Sequence, residues 1–352
     1  MSFTLIIFFT LPLFLFSSSP SIVFIHIGKK LPAYSEDAVR QAKHFNPKSA
    51  VYFLLNDEAY QTAPYSLEDA GASVVFLESL PITTHHKKFK AHKKLNLEFR
   101  DGFWLFTSER FFYLDSFMEQ NGLNHVFHLE YDNMLYKNLE EIIPALEKNY
   151  PECGATFLSH HFVVPGCIYF ATPKAASNVA KFFSRNSKHN WHDMTMLAAY
   201  KNTHQNRRIE HLPTIPPQYL RLFQLVNLYG EEPLNGSLYS SHFDKLEGIF
   251  DAATIGQYLG GQDPRNGKNF QGYKREDSYL NLDNCQFEWS EDHFGKKIPL
   301  MIIDGDRIPI YNLHIHSKNL RAFRSDLETR IPINFNKPNA IEIGKLTSEQ
   351  CL

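Results

Sequence analysis

Residues 125–133 of this 352-residue chain are HVFHLEYDN, an apolar run that leads directly into two acidic residues. The run predicts a β-strand over residues 125–129. Glu130 and Asp132 follow with one residue between them, so both acids lie just beyond the end of this strand. Ligands of open α/β sheets bind outside the carboxyl ends of the strands. We therefore expect the functional site at this end of the sheet.

Predicted strands and helices alternate on both sides of this motif, which is the pattern of a mostly parallel sheet flanked by helices. The predicted strands cover residues 22–27, 50–55, 73–77, 125–129, 155–158 and 167–170. Predicted helices begin at Ser35, cover residues 107–120 and 139–146, and begin again at Pro173 and near Asp193. After about residue 205 the alternation fades. The sequence thus predicts an α/β fold on which a C-terminal hairpin and irregular segments pack.

Composition limits the class of protein. Hydrophobic residues make up 43% and aromatic residues 14%, which supports a sizeable core and argues against intrinsic disorder. The formal net charge of −2 provides no overall field toward nucleic acid, so we expect a small-molecule or neutral-polymer partner. A basic stretch at residues 85–94 holds five Lys and three His. It is either a solvated helix face or a contact for an anionic donor or acceptor.

The N-terminal residues 1–16 carry no charge and are nearly all apolar. This run is short for a membrane span, which needs roughly 20 residues. We predict a signal peptide or short signal-anchor over residues 1–20, one domain over 21–330 and a tail over 331–352. Export or a secretory-pathway lumen, with membrane association through a retained N-terminus, follows from this prediction. The alternatives are an intracellular buried strand or a mis-set start codon.

The four cysteines, Cys153, Cys167, Cys285 and Cys351, show no zinc-site spacing. In an oxidising compartment the first two would be able to pair, because they lie on neighbouring predicted strands; the alternative is four unpaired thiols. Residues 235–237 form an Asn-Gly-Ser glycosylation sequon, which matters only on a eukaryotic secretory route.

Two acidic pairs are candidates for metal binding. Asp304-Gly305-Asp306 lies between two apolar runs, where Asp-Gly is a signal for a tight hairpin turn. Glu130 and Asp132 are therefore preferred. Their hard carboxylate oxygens suit Mg²⁺ or Mn²⁺, although acidic pairs after strands are also common without a metal.

Other polar residues offer chemistry at the same site. If residues 308–315 form a strand that continues, His314, His316 and Lys318 share one face, as a metal ligand beside a phosphate-binding cation or as an exposed polar face. Asp193 is either a first-turn helix acid or a carboxylate that holds the acceptor or takes its proton. Arg110 is either a surface cation or a group that reaches a diphosphate.

Residues 250–264, FDAATIGQYLGGQDP, interleave small residues with polar ones. Small residues let the backbone approach a ligand closely, while the polar tips hydrogen-bond hydroxyl groups. A short helix with a glycine C-cap is equally compatible with this segment.

The order of these features resembles that of the GT-A nucleotide-diphospho-sugar glycosyltransferase superfamily over residues 22–325. The resemblance implies a Rossmann-like GT-A catalytic domain over residues 21–330 that uses Mn²⁺ or Mg²⁺. Two departures are Glu130 in place of the usual first Asp of D-x-D, and the absence of the H-x-G-x-x-K form of glycogenin-like enzymes.

The resemblance also implies roles for individual residues. Asp132 would ligate the metal, Glu130 would contact the metal or the donor ribose, and His316 would complete the metal shell. The remaining implied contacts are Lys318 with the diphosphate, Gly28 with the base, Arg110 with the donor, and Asp193, Asp251 and Gln257 with the donor sugar or the acceptor.

The implied activity is that of a metal-dependent hexosyltransferase of glycan biosynthesis, with a UDP-sugar as the expected donor and a saccharide, glycoconjugate or other hydroxyl as the acceptor. An inverting enzyme would need a base, for which Asp193 is the candidate, whereas a retaining enzyme can work without one. The alternatives are a non-catalytic carbohydrate-binding relative and a metal-dependent phosphohydrolase that uses the same acids.

Overall fold

A computed structural model describes residues 19–95, 97–202, 209–222, 236–266, 271–274, 280–283 and 285–327. Within these residues the strands are β1 (Ser21–His26), β2 (Val51–Leu55), β3 (Ser73–Phe76), β4 (Val126–Leu129), β5 (Asn133–Leu135), β6 (Cys153–Ser159), β7 (Phe162–Phe170), β8 (Ile209–His211), β9 (Gln286–Glu291), β10 (Lys297–Ile303), β11 (Asp306–Pro309) and β12 (Asn312–His314). The α-helices are α1 (Ser35–Phe45), α2 (Asp57–Gln61), α3 (Thr84–His92), α4 (Phe103–Asn121), α5 (Ile143–Asn149), α6 (Pro173–Arg185), α7 (Asp193–Asn202), α8 (Phe243–Leu246) and α9 (Ile255–Gly260).

The central sheet has seven strands in the order β3-β2-β1-β4-β7-β6-β8. The β3-β2, β2-β1, β1-β4 and β6-β8 pairs are parallel, whereas β7 runs antiparallel to both of its neighbours. The prediction of an α/β fold with a mostly parallel sheet is confirmed. Because β4 lies in the middle of this sheet, its carboxyl end opens near the centre of the domain.

Local sequence explains where α3 and α6 begin, because the side chains of Thr83 and Thr172 cap them. The Thr172 hydroxyl caps α6 by accepting a hydrogen bond from the Ala175 N–H, and Pro173 occupies the first turn. Helix α4 begins at Phe103 rather than at the predicted residue 107. Its buried residues surround the helix, from Leu105 to Met118, so the 3.6-residue alternation that marks a half-buried helix is weak.

The C-terminal hairpin is confirmed, but the predicted strand over residues 308–315 is divided between β11 and β12. Strands β10 and β11 pair antiparallel around Asp304 and Gly305, whose φ angles are 51° and 93°. Strand β11 ends at Pro309. The Ile310 N–H still donates to the Pro299 carbonyl of β10, but the Tyr311 N–H donates to the Ile249 carbonyl. Strand β12 then pairs antiparallel with β5 in a separate ribbon. This ribbon brings the C-terminal segment to the end of β4.

Several predictions concern residues that the structure does not describe. The signal or anchor over residues 1–20 and the tail over 331–352 lie almost wholly outside the described residues, as do Asn235 and Cys351. Cys153 and Cys167 are free and buried, so the disulfide considered between them is not formed. Across the described part of the chain, no helix has both the length and the apolar character that a membrane crossing requires.

Candidate metal centre

The acidic motif turns sharply at the end of β4. The Asn133 N–H donates to the Glu130 carbonyl at 2.9 Å, and β5 begins at Asn133. The Nε2 atom of His314 lies 3.2 Å from a Glu130 oxygen and 3.1 Å from an Asp132 oxygen. One ligand atom from each of these three residues lies within 4.8 Å of the others. A strand end and a C-terminal ribbon thus converge on one point.

This donor set fits a divalent ion. In octahedral coordination with bonds of about 2.1 Å, adjacent ligand atoms lie about 3 Å apart. The two nitrogen–oxygen distances, 3.1 and 3.2 Å, match that spacing. Two carboxylate oxygens and one imidazole nitrogen are common ligands of divalent metals in proteins.

Opposite charges lie close together within the cluster. The Lys318 ammonium donates to Asp132 Oδ2. Burial alone would raise the pKa of Asp132, but His314 and Lys318 outweigh it and hold this pKa well below its usual range. Burial alone would lower the pKa of His314, but Asp132 outweighs it and the pKa is raised. A divalent ion held by these residues would therefore compete with a proton on His314.

The cluster contains His314 where the sequence predicted His316. Strand β12 ends at His314, so strand alternation does not continue to the later residue. The His316 Nδ1 atom instead contacts the Gln257 side-chain amide, and the two imidazole rings lie 4.3 Å apart. Gln257, predicted to contact the donor, therefore packs beside the second imidazole. The two-residue alternation of side chains along a strand does not distinguish positions 314 and 316, because both lie on the same face of any strand that covers them.

Lys318 reaches the cluster from a turn rather than from a strand. Its φ angle is +64°, a left-handed conformation that is strained for a residue other than glycine and is often found at functional sites. The turn is closed by a hydrogen bond of 3.2 Å from the Lys318 N–H to the Ile315 carbonyl. Its ammonium lies 5.7 Å from the ring centre of Tyr34, at the edge of the site.

Asp251 holds the backbone that carries His314. Its buried carboxylate accepts N–H groups from Thr254, Ile255 and Gly256 at 2.8 Å and from His314 at 2.9 Å. A Cβ on Gly256 would lie closer than 3.0 Å to the His314 backbone, so glycine is needed for this approach. Asp251 was predicted to contact a donor or acceptor, but its observed contacts are those of a residue that positions His314.

Arg110 connects two carboxylates beneath the motif. Its guanidinium donates to Glu130 at 2.6 Å and to Asp193 at 2.7 Å, and only 6% of the residue is exposed. Burial alone would raise the pKa of Asp193, but His192 and Arg110 outweigh it and lower this pKa. A buried carboxylate that is already ion-paired is a weak general base. The role of Asp193 as a base stays a prediction, while its contacts are those of an orienting group.

Gly28 lies beyond β1, near a cluster of aromatic rings, those of His26, Tyr34 and Tyr131, that the sequence analysis did not identify. Its N–H donates to the Asn56 side chain at 2.9 Å. The His26 ring lies 3.1 Å from the Tyr131 hydroxyl, and burial lowers the pKa of His26 to about 4, so this imidazole is neutral. The rings of Tyr131 and Tyr34 have centres 6.0 Å apart. Tyr131 lies between the two acids of the motif in the sequence, and that position was the feature from which this aromatic cluster could have been predicted.

Comparison with known proteins gives fold similarity only. No protein-family model matches the chain, and no curated protein matches it in sequence. The similar solved structures include several glycosyltransferases. Mouse xyloside xylosyltransferase 1 in its apo form has 10% identity and a TM-score of 0.39, over 64% of this chain and 92% of that one. An active-site mutant of LgtC has 13% identity and a TM-score of 0.41, over 66% and 85% respectively. The side chains of the site, and not these similarities, carry the functional inference.

Proposed function

We propose that this chain is a divalent-metal-dependent glycosyltransferase that moves a sugar from a nucleotide-diphosphate sugar to a hydroxyl acceptor. The convergence of Glu130, Asp132 and His314 at the carboxyl end of β4, with Lys318 beside them, carries the proposal. A departing diphosphate develops negative charge, and fixed positive charge at the point of departure stabilises it. The site offers both a set of three metal ligands and the Lys318 ammonium at that point.

Each residue of the site has a distinct task in this proposal. A divalent ion held by Glu130, Asp132 and His314 would supply positive charge to the leaving diphosphate. Lys318 adds a second positive charge at the same edge. Arg110 keeps Glu130 in a fixed orientation through its 2.6 Å hydrogen bond, and Asp251 fixes the backbone of His314. Such outer contacts orient the ligands of a metal.

The finer parts of the proposal concern the ligands and the location. Two carboxylates and one imidazole favour Mn²⁺ over Mg²⁺, which prefers oxygen ligands only. The aromatic rings of Tyr34 and Tyr131 near Gly28 suit a nucleobase, and we propose a UDP-hexose as the donor. We propose a saccharide or glycoconjugate as the acceptor. An exported or lumenal location, with residues 1–20 as signal or anchor, belongs to the same proposal.

A donor screen tests this function. Purified protein is incubated with UDP-, GDP- and CMP-sugars with and without Mn²⁺, and the released nucleotide is measured. We expect Mn²⁺-dependent hydrolysis of a UDP-sugar, abolished by Asp132→Ala and retained by Asp304→Ala, with unchanged circular dichroism in both variants. Hydrolysis of simple phosphate esters alone would identify a phosphohydrolase. No thermal stabilisation by UDP with Mn²⁺ would identify a non-catalytic relative.

A further inference from the structure

Helix α3 and its flanks form the most one-sided charge distribution in the sequence. No Asp or Glu occurs between Glu78 and Glu98, whereas residues 85–94 contain five Lys. The whole chain carries a formal charge of only −2. The positive charge is therefore local, and the proposed transfer site does not use it.

Lysines of α3 and of the segment that follows it face away from the core. His86 and Phe89 are buried and attach the helix to the domain, while Lys87, Lys88 and Lys94 are exposed. Lys90 is different, because it pairs with the buried Glu109 at 3.0 Å. Glu109 therefore neutralises the charge of Lys90, and the three exposed lysines carry the positive charge that faces solvent.

Helix α6 adds further positive charge to the same surface. Burial first, and then Lys181 and Arg185 of α6, lower the pKa of His85. These two cations therefore lie close enough to α3 for their fields to overlap. The basic surface extends over two packed helices rather than along one.

Exposed apolar side chains flank this charge. Ile82, Leu97 and Phe99 are 39%, 53% and 39% exposed, and they are three of the four exposed large hydrophobic residues in the described part of the chain. Ile82 precedes the N-cap residue of α3, whereas Leu97 and Phe99 follow the end of the helix. A nine-residue helix is about 14 Å long, so apolar groups lie at both ends of the basic row.

We propose that α3 with its flanks, residues 82–95 and 97–99, is a peripheral binding surface for an anionic lipid bilayer. Lysines near a bilayer are attracted by its acidic headgroups, and exposed apolar side chains beside them enter the interfacial region. A soluble polyanion would use the lysines but would have no use for Ile82, Leu97 and Phe99. The combination of the two features selects the bilayer. This surface is independent of the proposed transfer activity.

Vesicle sedimentation of the full chain tests the electrostatic half of the proposal. We expect binding to phosphatidylcholine vesicles only when they contain phosphatidylserine, and weaker binding as salt is raised. The variant Lys87→Glu/Lys88→Glu/Lys94→Glu should lose roughly a hundredfold in partitioning. Its control, Lys48→Glu/Lys148→Glu/Lys245→Glu, changes the net charge equally at exposed positions on other elements and should bind as the parent does. Equal binding by both variants overturns the proposal.

The apolar half is tested separately. Leu97→Ser/Phe99→Ser leaves the charge unchanged and should weaken phosphatidylserine-vesicle binding at least about tenfold. Phe294→Ser, which removes the fourth exposed apolar side chain, is the control and should have no effect. Binding to heparin but not to vesicles would assign the surface to a soluble polyanion and overturn the proposal. Binding that needs neither phosphatidylserine nor these lysines would place attachment in another segment and overturn it as well. Equal thermal midpoints establish that the variants fold.

Discussion

Two acidic motifs of the same spacing have opposite surroundings in this chain. Glu130 and Asp132 lie at the carboxyl end of β4 with side chains 19% and 13% exposed, and each contacts cationic groups. Asp304 and Asp306 lie on the β10–β11 turn in solvent, where Asp306 accepts a 2.7 Å hydrogen bond from the Tyr219 hydroxyl. Desolvated carboxylates must be paired, whereas solvated ones are stabilised by water. The spacing of the acids is therefore less informative than the place where their strand ends.

The largest difference between the two motifs should be in metal binding. Asp132→Asn keeps the size of the side chain but removes the charge, so affinity for Mn²⁺ should fall by more than the roughly 10–100-fold expected for loss of an outer contact. Isothermal titration with Mn²⁺ measures the change. Asp306→Asn is the matched substitution on the hairpin and should retain the parent affinity. Equal affinities for all three proteins would remove the distinction between the motifs.

The next largest effect should come from the support of His314. Asp251→Asn removes the charge that accepts four N–H groups, so we expect a roughly 10–100-fold loss of Mn²⁺ affinity and about 1–3 kcal/mol of unfolding free energy. Asp115→Asn is the control, because Asp115 is also a buried aspartate but has no contact with the cluster. It should bind Mn²⁺ as the parent does, and loss of its charge should not destabilise the fold, because burial raises the pKa of Asp115 to about 6 and so disfavours the ionised form. If both variants bind Mn²⁺ equally well, Asp251 has no positioning role.

Much of this arrangement was predictable, and the exceptions have a physical cause. The choice of Glu130 and Asp132 over the hairpin acids follows from local turn chemistry, because Asp-Gly between apolar runs favours a tight turn. The choice of His314 depends instead on where β12 ends, which is decided by pairing with β5 across 179 residues of sequence. The partners of Arg110 could not be predicted for another reason. Helix α4 is buried around its circumference, so its sequence does not show which face is exposed and which points toward the site.

The two regions should also titrate in different pH ranges. Because the pKa of His314 is raised above its unfolded value of about 6.5, its stabilising contribution is complete below that pH and is lost as pH rises through the folded pKa. The thermal midpoint of metal-free protein should therefore fall above neutral pH, and Mn²⁺ should restore it by binding the deprotonated ring.

His314→Gln should flatten this dependence, whereas His293→Gln, at an exposed position, should not. On the hairpin, the Tyr219 hydroxyl lowers the pKa of Asp306. The contribution of Asp306 is present above the unfolded pKa of about 3.9 and is lost only as pH falls further. Thermal scans from acid to mildly basic pH separate the two ranges. A midpoint that rises above neutral pH in metal-free protein would contradict the assignment.

The smallest effects should come from the hairpin acids themselves. Asp304→Asn and Asp306→Asn alter exposed side chains, so each should leave the urea midpoint close to that of the parent. Nucleotide-sugar hydrolysis should stay at the parent level. Urea unfolding with a parallel hydrolysis assay checks both statements, and loss of hydrolysis in either variant would reverse the ranking of the motifs.

The pairing of β5 with β12 has a consequence for synthesis on the ribosome. Lys318 follows Asp132 by 186 residues, an interval of roughly 10–40 s at ordinary translation rates. The acids that follow β4 therefore emerge long before their imidazole and ammonium partners, and the cluster is completed only when β12 docks. Acquisition of metal by a nascent chain would thus report completed folding of the domain.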